Sequence, residues 1–135
     1  MPQGFQEIEH TADRAFRVRG VDLKELFVNA ARAMFAMQGG RGRGRATVMR
    51  EVSVEGVDRE TLLVNWLNEL LFLQEVHKES YGRFEILEIS DTRLGARVHG
   101  RPGSNREKLI KAVTFHDLKV KHGPTGWEVT VVVDV

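Results

Sequence analysis

The chain has 135 residues and a formal net charge of +1, so its length suits one domain and its charge gives no general attraction to nucleic acid. Hydrophobic residues make up 41% of the sequence, which is enough for a buried core and excludes a disordered composition. The absence of cysteine excludes disulfides, thiolate zinc sites, iron–sulfur clusters and cysteine nucleophiles. The longest apolar runs are far too short to span a bilayer, and the first residues do not resemble a signal peptide, so we expect a cytoplasmic protein.

The first part of the chain predicts a strand followed by a helix. Apolar and basic residues alternate over residues 16–19, the pattern of a half-buried strand. Asp22 has the position of a helix cap, and Glu25 three residues later completes a capping box. Apolar residues then recur at helical spacing as far as Phe35, and Gly39-Gly40 predicts the end of the helix.

A glycine-rich loop and a second strand come next. The segment from Arg41 to Arg45 alternates arginine with glycine and predicts a flexible basic loop. Residues 46–55 alternate apolar and polar side chains, so we expect a strand there. Arg50 interrupts the apolar set, which indicates a bulge or the edge of a sheet.

A second helix and two hairpins complete the predicted elements. Asp58 caps a helix that extends to about Lys78, with a wide apolar face and a polar stripe that includes Asn68. Residues 84–89 and 93–100 form a hairpin, and residues 112–121 and 127–135 form another. The expected fold class is α+β: one domain over residues 1–135, with mainly antiparallel sheet or sheets and two helices packed on one side.

Local motifs give no support for an enzyme. The basic glycine run lacks the Gly-Lys-Ser/Thr ending of a phosphate-binding loop, and no G-x-S-x-G elbow is present. The five histidines have no H-E-x-x-H spacing, and no dinucleotide fingerprint follows a predicted strand.

Three stretches in chain order resemble the archease family and together span nearly the whole sequence. They are His10-Thr11-Ala12-Asp13 with the helix that follows Asp22, the segment Leu-Leu-Val-Asn-Trp-Leu-Asn-Glu-Leu-Leu at 62–71, and residues 111–120 with the ending Val133-Asp134-Val135. The resemblance implies an archease-like fold and a non-enzymatic activator of the RtcB-type RNA ligase in tRNA splicing. In that role the protein would promote guanylylation of the ligase and sustain multiple turnover.

The resemblance also implies a divalent metal, most often calcium, held by Asp13, Asp134 and the terminal carboxylate of Val135. The residue chemistry is compatible with this, because carboxylates held close together repel one another unless a cation or water neutralises them. A hard cation with oxygen ligands is the natural partner for such a set. The alternative is structural, with Asp13 bonding nearby backbone amides in a turn and the chain end solvated.

Four further residues are candidates for contact with a partner. Lys111 and Lys119 offer cations to RNA, nucleotide or ligase, and Arg43 offers one from the basic loop. Phe72 interrupts the polar stripe of the second helix, where an exposed aromatic side chain would mark a docking surface. The alternatives are solvated lysines, a solvated loop, and another element that covers Phe72.

Two other functions are compatible with the sequence. One is an RNA-binding module or chaperone that uses the loop from Arg41 to Arg45, although no aromatic residues interleave with its arginines. Another is a metal-dependent hydrolase acting through Asp13 and Asp134, which lacks an evident general base. The sequence also departs from the family pattern at Ala36, where an acidic residue is common.

Overall fold

The computed structural model describes residues 4–9, 14–39, 45–103 and 110–135. Two helices and eight strands form these ranges: β1 (Phe5–Glu9), β2 (Arg14–Gly20), α1 (Leu23–Met37), β3 (Val48–Glu55), α2 (Arg59–His77), β4 (Glu79–Ile89), β5 (Arg93–Pro102), β6 (Ala112–Thr114), β7 (Lys121–Gly123) and β8 (Gly126–Asp134). Every strand pair in the described ranges is antiparallel. The predicted α+β class is therefore confirmed.

The strands form two sheets rather than one. The first has the order β1-β2-β8-β6, with β7 also paired to β8, and the second has the order β3-β5-β4. Both helices contact strands of both sheets, so the core lies where the helices meet them. Trp66 of α2 is fully buried in this core, and its indole N–H donates to the carbonyl oxygen of Phe27 in α1 at 3.0 Å.

Local capping chemistry explains where the helices begin and end. A side-chain oxygen of Asp22 accepts a hydrogen bond from the backbone N–H of Glu25 at 2.8 Å, as the capping pattern predicts. The Glu25 carboxylate accepts from Val21, the residue before the cap, at 2.7 Å, instead of from the cap itself. Asp58 caps α2 in the same way through Thr61. Gly39, with φ +72°, follows α1 in the left-handed conformation that glycine favours.

Several strand predictions need correction. The strand predicted over residues 112–121 is two short strands, β6 and β7, because the chain turns away between them through Asp117 at φ 48°. Strand β1 was not predicted. Arg50 lies on an edge strand, as expected, and β3 has no register shift against β5 that would indicate a bulge there. Of the basic loop, residues 41–44 lie outside the described ranges and Arg45 is exposed.

Candidate functional site

Three strand segments come together where β8 ends. Arg14, the first residue of β2, is the antiparallel partner of Val133, and Ala112 of β6 is the partner of Asp134. The backbone N–H of Lys111 donates to the carbonyl oxygen of Asp134 at 2.8 Å. We call this place the acidic strand end: residues 133–135 with the neighbouring starts of β2 and β6.

The last two residues of the acidic strand end are exposed. Val133 is fully buried on the core face of β8, so alternation along the strand places the Asp134 side chain on the other face, where it is exposed. Val135 is 45% exposed. Carboxylate and carbonyl oxygens are the donors that calcium and magnesium accept, so this donor chemistry fits a hard divalent cation.

The third predicted ligand is not described. Asp13 lies outside the described residues, and so does Arg43 from the basic loop. Within the residues that the structure describes, no three His, Asp or Glu side chains lie close enough to hold a metal ion. The metal set of Asp13, Asp134 and Val135 therefore stays a prediction.

Two buried side-chain amides hold the chain that leads into β6 beside the acidic strand end. The sequence pattern did not predict them. Gln38 and Gln74 are each 1% exposed and bond to each other in both directions, at 3.1 and 3.2 Å. The Gln38 side-chain oxygen also accepts from the backbone N–H of Ile110 at 3.2 Å, which fixes the chain just before β6. One sequence signal could have indicated a buried amide here: Gln74 is a polar residue that continues the apolar stripe of α2, one turn after Leu70.

A second amide ties β6 to α2. The side-chain oxygen of Asn68 accepts from the backbone N–H of Val113 at 2.9 Å, and its amide group donates to the Val113 carbonyl at 3.3 Å. The sequence pattern places Asn68 on the polar stripe of the second helix. It instead replaces a missing strand partner for β6, whose three residues pair on the other side with β8.

Two of the predicted partner-contact residues lie close together. Phe72 is 57% exposed, and Val76 one turn later is 54% exposed. Phe72 and Lys111 line the same groove of about 540 Å³ between α2 and the chain before β6. Lys119 is exposed but lies elsewhere, beside Val120, whose backbone N–H donates to Glu60 in the first turn of α2.

An ionic cluster lies where α2 passes into β4. Both oxygens of Glu79 accept from Arg50, at 3.0 and 2.7 Å, and the hydroxyl of Tyr81 donates to one of them at 2.7 Å. Glu79 is 6% exposed. The hydrogen bonds from Arg50 lower the pKa of Glu79 despite its burial, and burial raises the pKa of Tyr81 well above its usual value. Arg50 thus interrupts the apolar pattern of β3 because it has a buried acidic partner.

The fold and this site define a class: a small α+β protein with two antiparallel sheets, two helices and an exposed acidic strand end. Within the described residues, no helix has the length and apolar character that crossing a lipid bilayer requires. The model of the archease protein family (MTH1598/TM1083) matches residues 5–135. The chain belongs to the archease family, and the resemblance seen in the sequence is confirmed.

Known proteins and structures agree with this assignment. The chain is 39% identical to the protein archease of Methanosarcina acetivorans, over 97% of this chain and 95% of that protein. It is 31% identical to the solution structure of Methanobacterium thermoautotrophicum protein 1598, with a TM-score of 0.81 and coverage of 98% and 99%. A crystal structure from Thermotoga maritima, described as an archease and possible chaperone, has 25% identity, a TM-score of 0.69 and coverage of 95% and 94%.

Proposed function

We propose that this protein is a non-enzymatic, cytoplasmic activator of an RtcB-type RNA ligase in tRNA splicing. It would promote guanylylation of the ligase, and so multiple turnover, through a metal-bearing acidic site. Membership of the archease family supports this role. The exposed acidic strand end supports the position of the site, because Asp134 and Val135 are both accessible to a partner.

The observation that carries the proposal is the pairing of β2 with β8. Arg14 lies beside Val133, so the residue after Asp13 and the residue before Asp134 are neighbours on adjacent strands. Adjacent strands are about 4.8 Å apart, a spacing compatible with two carboxylates sharing one ion. Pairing within the sheet therefore brings together two segments that are more than a hundred residues apart in the sequence.

The metal in this proposal is a divalent ion, with calcium as the first candidate. Asp13 and Asp134 would hold it through side-chain carboxylates, and Val135 through its α-carboxylate. The bound ion would supply positive charge that neutralises these groups. The protein's own contribution is to hold the acidic strand end in place. Hydrogen bonds from the backbone to the side-chain amides of Gln38 and Asn68 fix the neighbouring chain, so that the acidic oxygens meet the ligase in one arrangement.

The groove beside the acidic strand end is the proposed contact surface for the ligase. Phe72 provides exposed apolar area and Lys111 a cation at its other side. Aromatic side chains that are buried on association contribute strongly to binding, whereas a rim lysine mainly affects the association rate. Lys119, which does not line this groove, and Arg43, which lies outside the described residues, are assigned secondary contacts.

A reconstituted ligation assay with excess RNA tests the activator role. We expect the native protein to increase the number of turnovers per ligase, and Asp13→Asn and Asp134→Asn to lose most of this stimulation. The matched control is Asp117→Asn, since Asp117 is an exposed aspartate in the turn between β6 and β7, outside the acidic strand end, and asparagine tolerates its positive φ. Equal stimulation by all three variants, or no effect of the native protein on turnover, would refute the proposal.

A further inference from the structure

A second site lies at the other end of β8. A cavity of about 610 Å³ opens between the end of β2, the exposed side of α1 and the hairpin formed by β7 and β8. Trp127, at its wall, precedes Asp134 by seven residues on one strand, so the two are about 23 Å apart. The volume lies within the range of about 300–1,000 Å³ that small-molecule sites occupy. We call it the hairpin cavity.

An aromatic stack forms part of its wall. The rings of His122 and Trp127, cross-strand partners on β7 and β8, are nearly parallel at 9°, with centroids 4.1 Å apart. The guanidinium of Arg59, which does not line the cavity, lies 4.9 Å from the centre of the Trp127 ring and braces the indole. His122 itself is exposed, so the stack presents a planar outer layer to solvent.

The charge around the stack favours an anion. Arg19, Arg32 and Lys121 line the cavity together with two carboxylates. Both carboxylates have partners, because Glu25 accepts from the backbone N–H of Val21 and Glu128 lies 3.5 Å from the guanidiniums of Arg17 and Arg19. Arg32 and Lys121, by contrast, form no ion pair in the portion of the chain that the structure describes.

We propose that the hairpin cavity binds a nucleotide, either free or at the end of a single-stranded RNA. The base would stack on His122, and the phosphate would lie toward Arg32 and Lys121. A planar π surface next to unpaired cations is the combination with which proteins hold single-stranded nucleic acid. This site is separate from the acidic strand end and does not depend on the ligase or on a metal.

Intrinsic fluorescence of the isolated protein provides the direct test. The chain has two tryptophans, of which Trp66 is fully buried and Trp127 lines the cavity, so quenching on addition of ligand reports on the stack. The probes are GTP, ATP and a short unstructured oligoribonucleotide, each titrated at low salt. We expect saturable quenching by at least one probe, and a dissociation constant raised about fivefold or more in His122→Ala.

Charge variants separate this site from general electrostatic attraction. The double variant Arg32→Gln with Lys121→Gln should weaken binding. The slope of the logarithm of the binding constant against the logarithm of the salt concentration should decrease in magnitude by about one for each cation lost. The matched control, Lys24→Gln with Arg83→Gln, removes two exposed cations that do not line the cavity. An equal loss in both double variants would overturn the proposal, because it would indicate non-specific attraction.

The remaining arms identify the source of the nucleotide. Binding of GTP or ATP as tight as that of the oligoribonucleotide supports a free nucleotide, whereas much tighter oligoribonucleotide binding supports an RNA end. Removal of residues 41–45 should leave nucleotide binding unchanged. If this deletion abolished binding, the site would lie on the basic loop and the proposal would be overturned. No quenching by any probe would also overturn it, while leaving ligase activation through Asp134 untouched.

Discussion

Arg50 and Glu79 show how one partly buried ion pair explains a break in a sequence pattern. Arg50 shares the core-facing side of β3 with Val52, a position where the strand pattern calls for an apolar residue. Glu79 accepts two hydrogen bonds from Arg50 there and a third from the hydroxyl of Tyr81. An unpaired buried charge is costly, so each member of this cluster depends on the others.

Glu79→Gln tests this dependence through pH. Because the folded-state pKa of Glu79 lies below its ordinary value of 4.5, the pair stabilises the fold above that pH and loses its effect as the pH falls through the lowered value. We expect the substitution to lower the free energy of unfolding by about 1–3 kcal/mol at neutral pH. The difference from the native protein should shrink on acidification to about pH 3.

Urea unfolding at both pH values measures this effect. The control is Glu51→Gln, an exposed glutamate next to Arg50 on β3 that lies 3.9 Å from Arg97, for which we expect less than about 0.5 kcal/mol. A cost for Glu79→Gln that stays the same from neutral to acidic pH would contradict the assignment of the ionised form.

Strand β6 is the element whose stability depends most clearly on a single side chain. It has three residues, too few for strong sheet pairing, and lies between β8 and α2. Asn68 satisfies both backbone groups of Val113, so the short strand is hydrogen bonded on each side. This arrangement also holds Lys111 beside Asp134.

Asn68→Ala should therefore loosen β6 without unfolding α2. Loss of both bonds leaves the backbone groups of Val113 unsatisfied, with an expected cost of about 1–3 kcal/mol. Amide hydrogen exchange at Val113 should accelerate by at least about tenfold, which hydrogen-exchange NMR measures. The matched control is Asn65→Ala, which removes a bond to the Glu55 carbonyl and should leave exchange at Val113 unchanged. Unchanged protection of Val113 in Asn68→Ala would show that β8 alone holds β6.

The molecule as a whole carries its two candidate sites at opposite ends of one strand. The core-facing side of β8 is buried between them, with Val129, Val131 and Val133 nearly or fully inaccessible. A rigid central strand of this kind keeps the two ends at a fixed separation. The acidic strand end and the hairpin cavity can therefore be tested independently with single substitutions.

Calcium should stabilise the folded protein if the acidic strand end holds the ion. A ligand selective for the folded state adds about 2.7 kcal/mol at a hundred times its dissociation constant, a shift of several degrees in the melting temperature. We expect this shift in the native protein, a much smaller one in Asp134→Asn, and an undiminished one in Asp117→Asn. Acidification should weaken it as the carboxylates become protonated. Identical melting curves with calcium and with a chelator would argue against a metal at this end.

The local elements were predicted well from the sequence because their signals are local. Asp22 and Asp58 each cap their helix through the residue three positions on, which depends only on chain geometry. The turn at residues 90–92 likewise joins β4 and β5 as expected, because Ser90 bonds the backbone within its own turn. The family could also be recognised, since its motifs are contiguous in the chain.

The candidate site stays a prediction, and only some of its residues lie within the described structure. Asp134 and Phe72 have the exposure that their proposed roles require, while Asp13 and Arg43 fall outside the described residues. The supporting pair of Gln38 and Gln74 was missed, because a glutamine has no periodic signature that distinguishes a surface amide from a buried one.

The sequence by itself determined the two helices, the hairpin of β4 and β5, and the likeness to the archease family. Only the tertiary structure decided that residues 112–121 form two strands, that Arg14 lies beside Val133, that Arg50 finds Glu79, and that Phe72 stays uncovered. The physical reason is the distance along the chain over which each interaction acts. Helical period, caps and turns depend on residues within a few positions of one another, whereas strand register and side-chain pairing join segments whose separation along the chain carries no local trace.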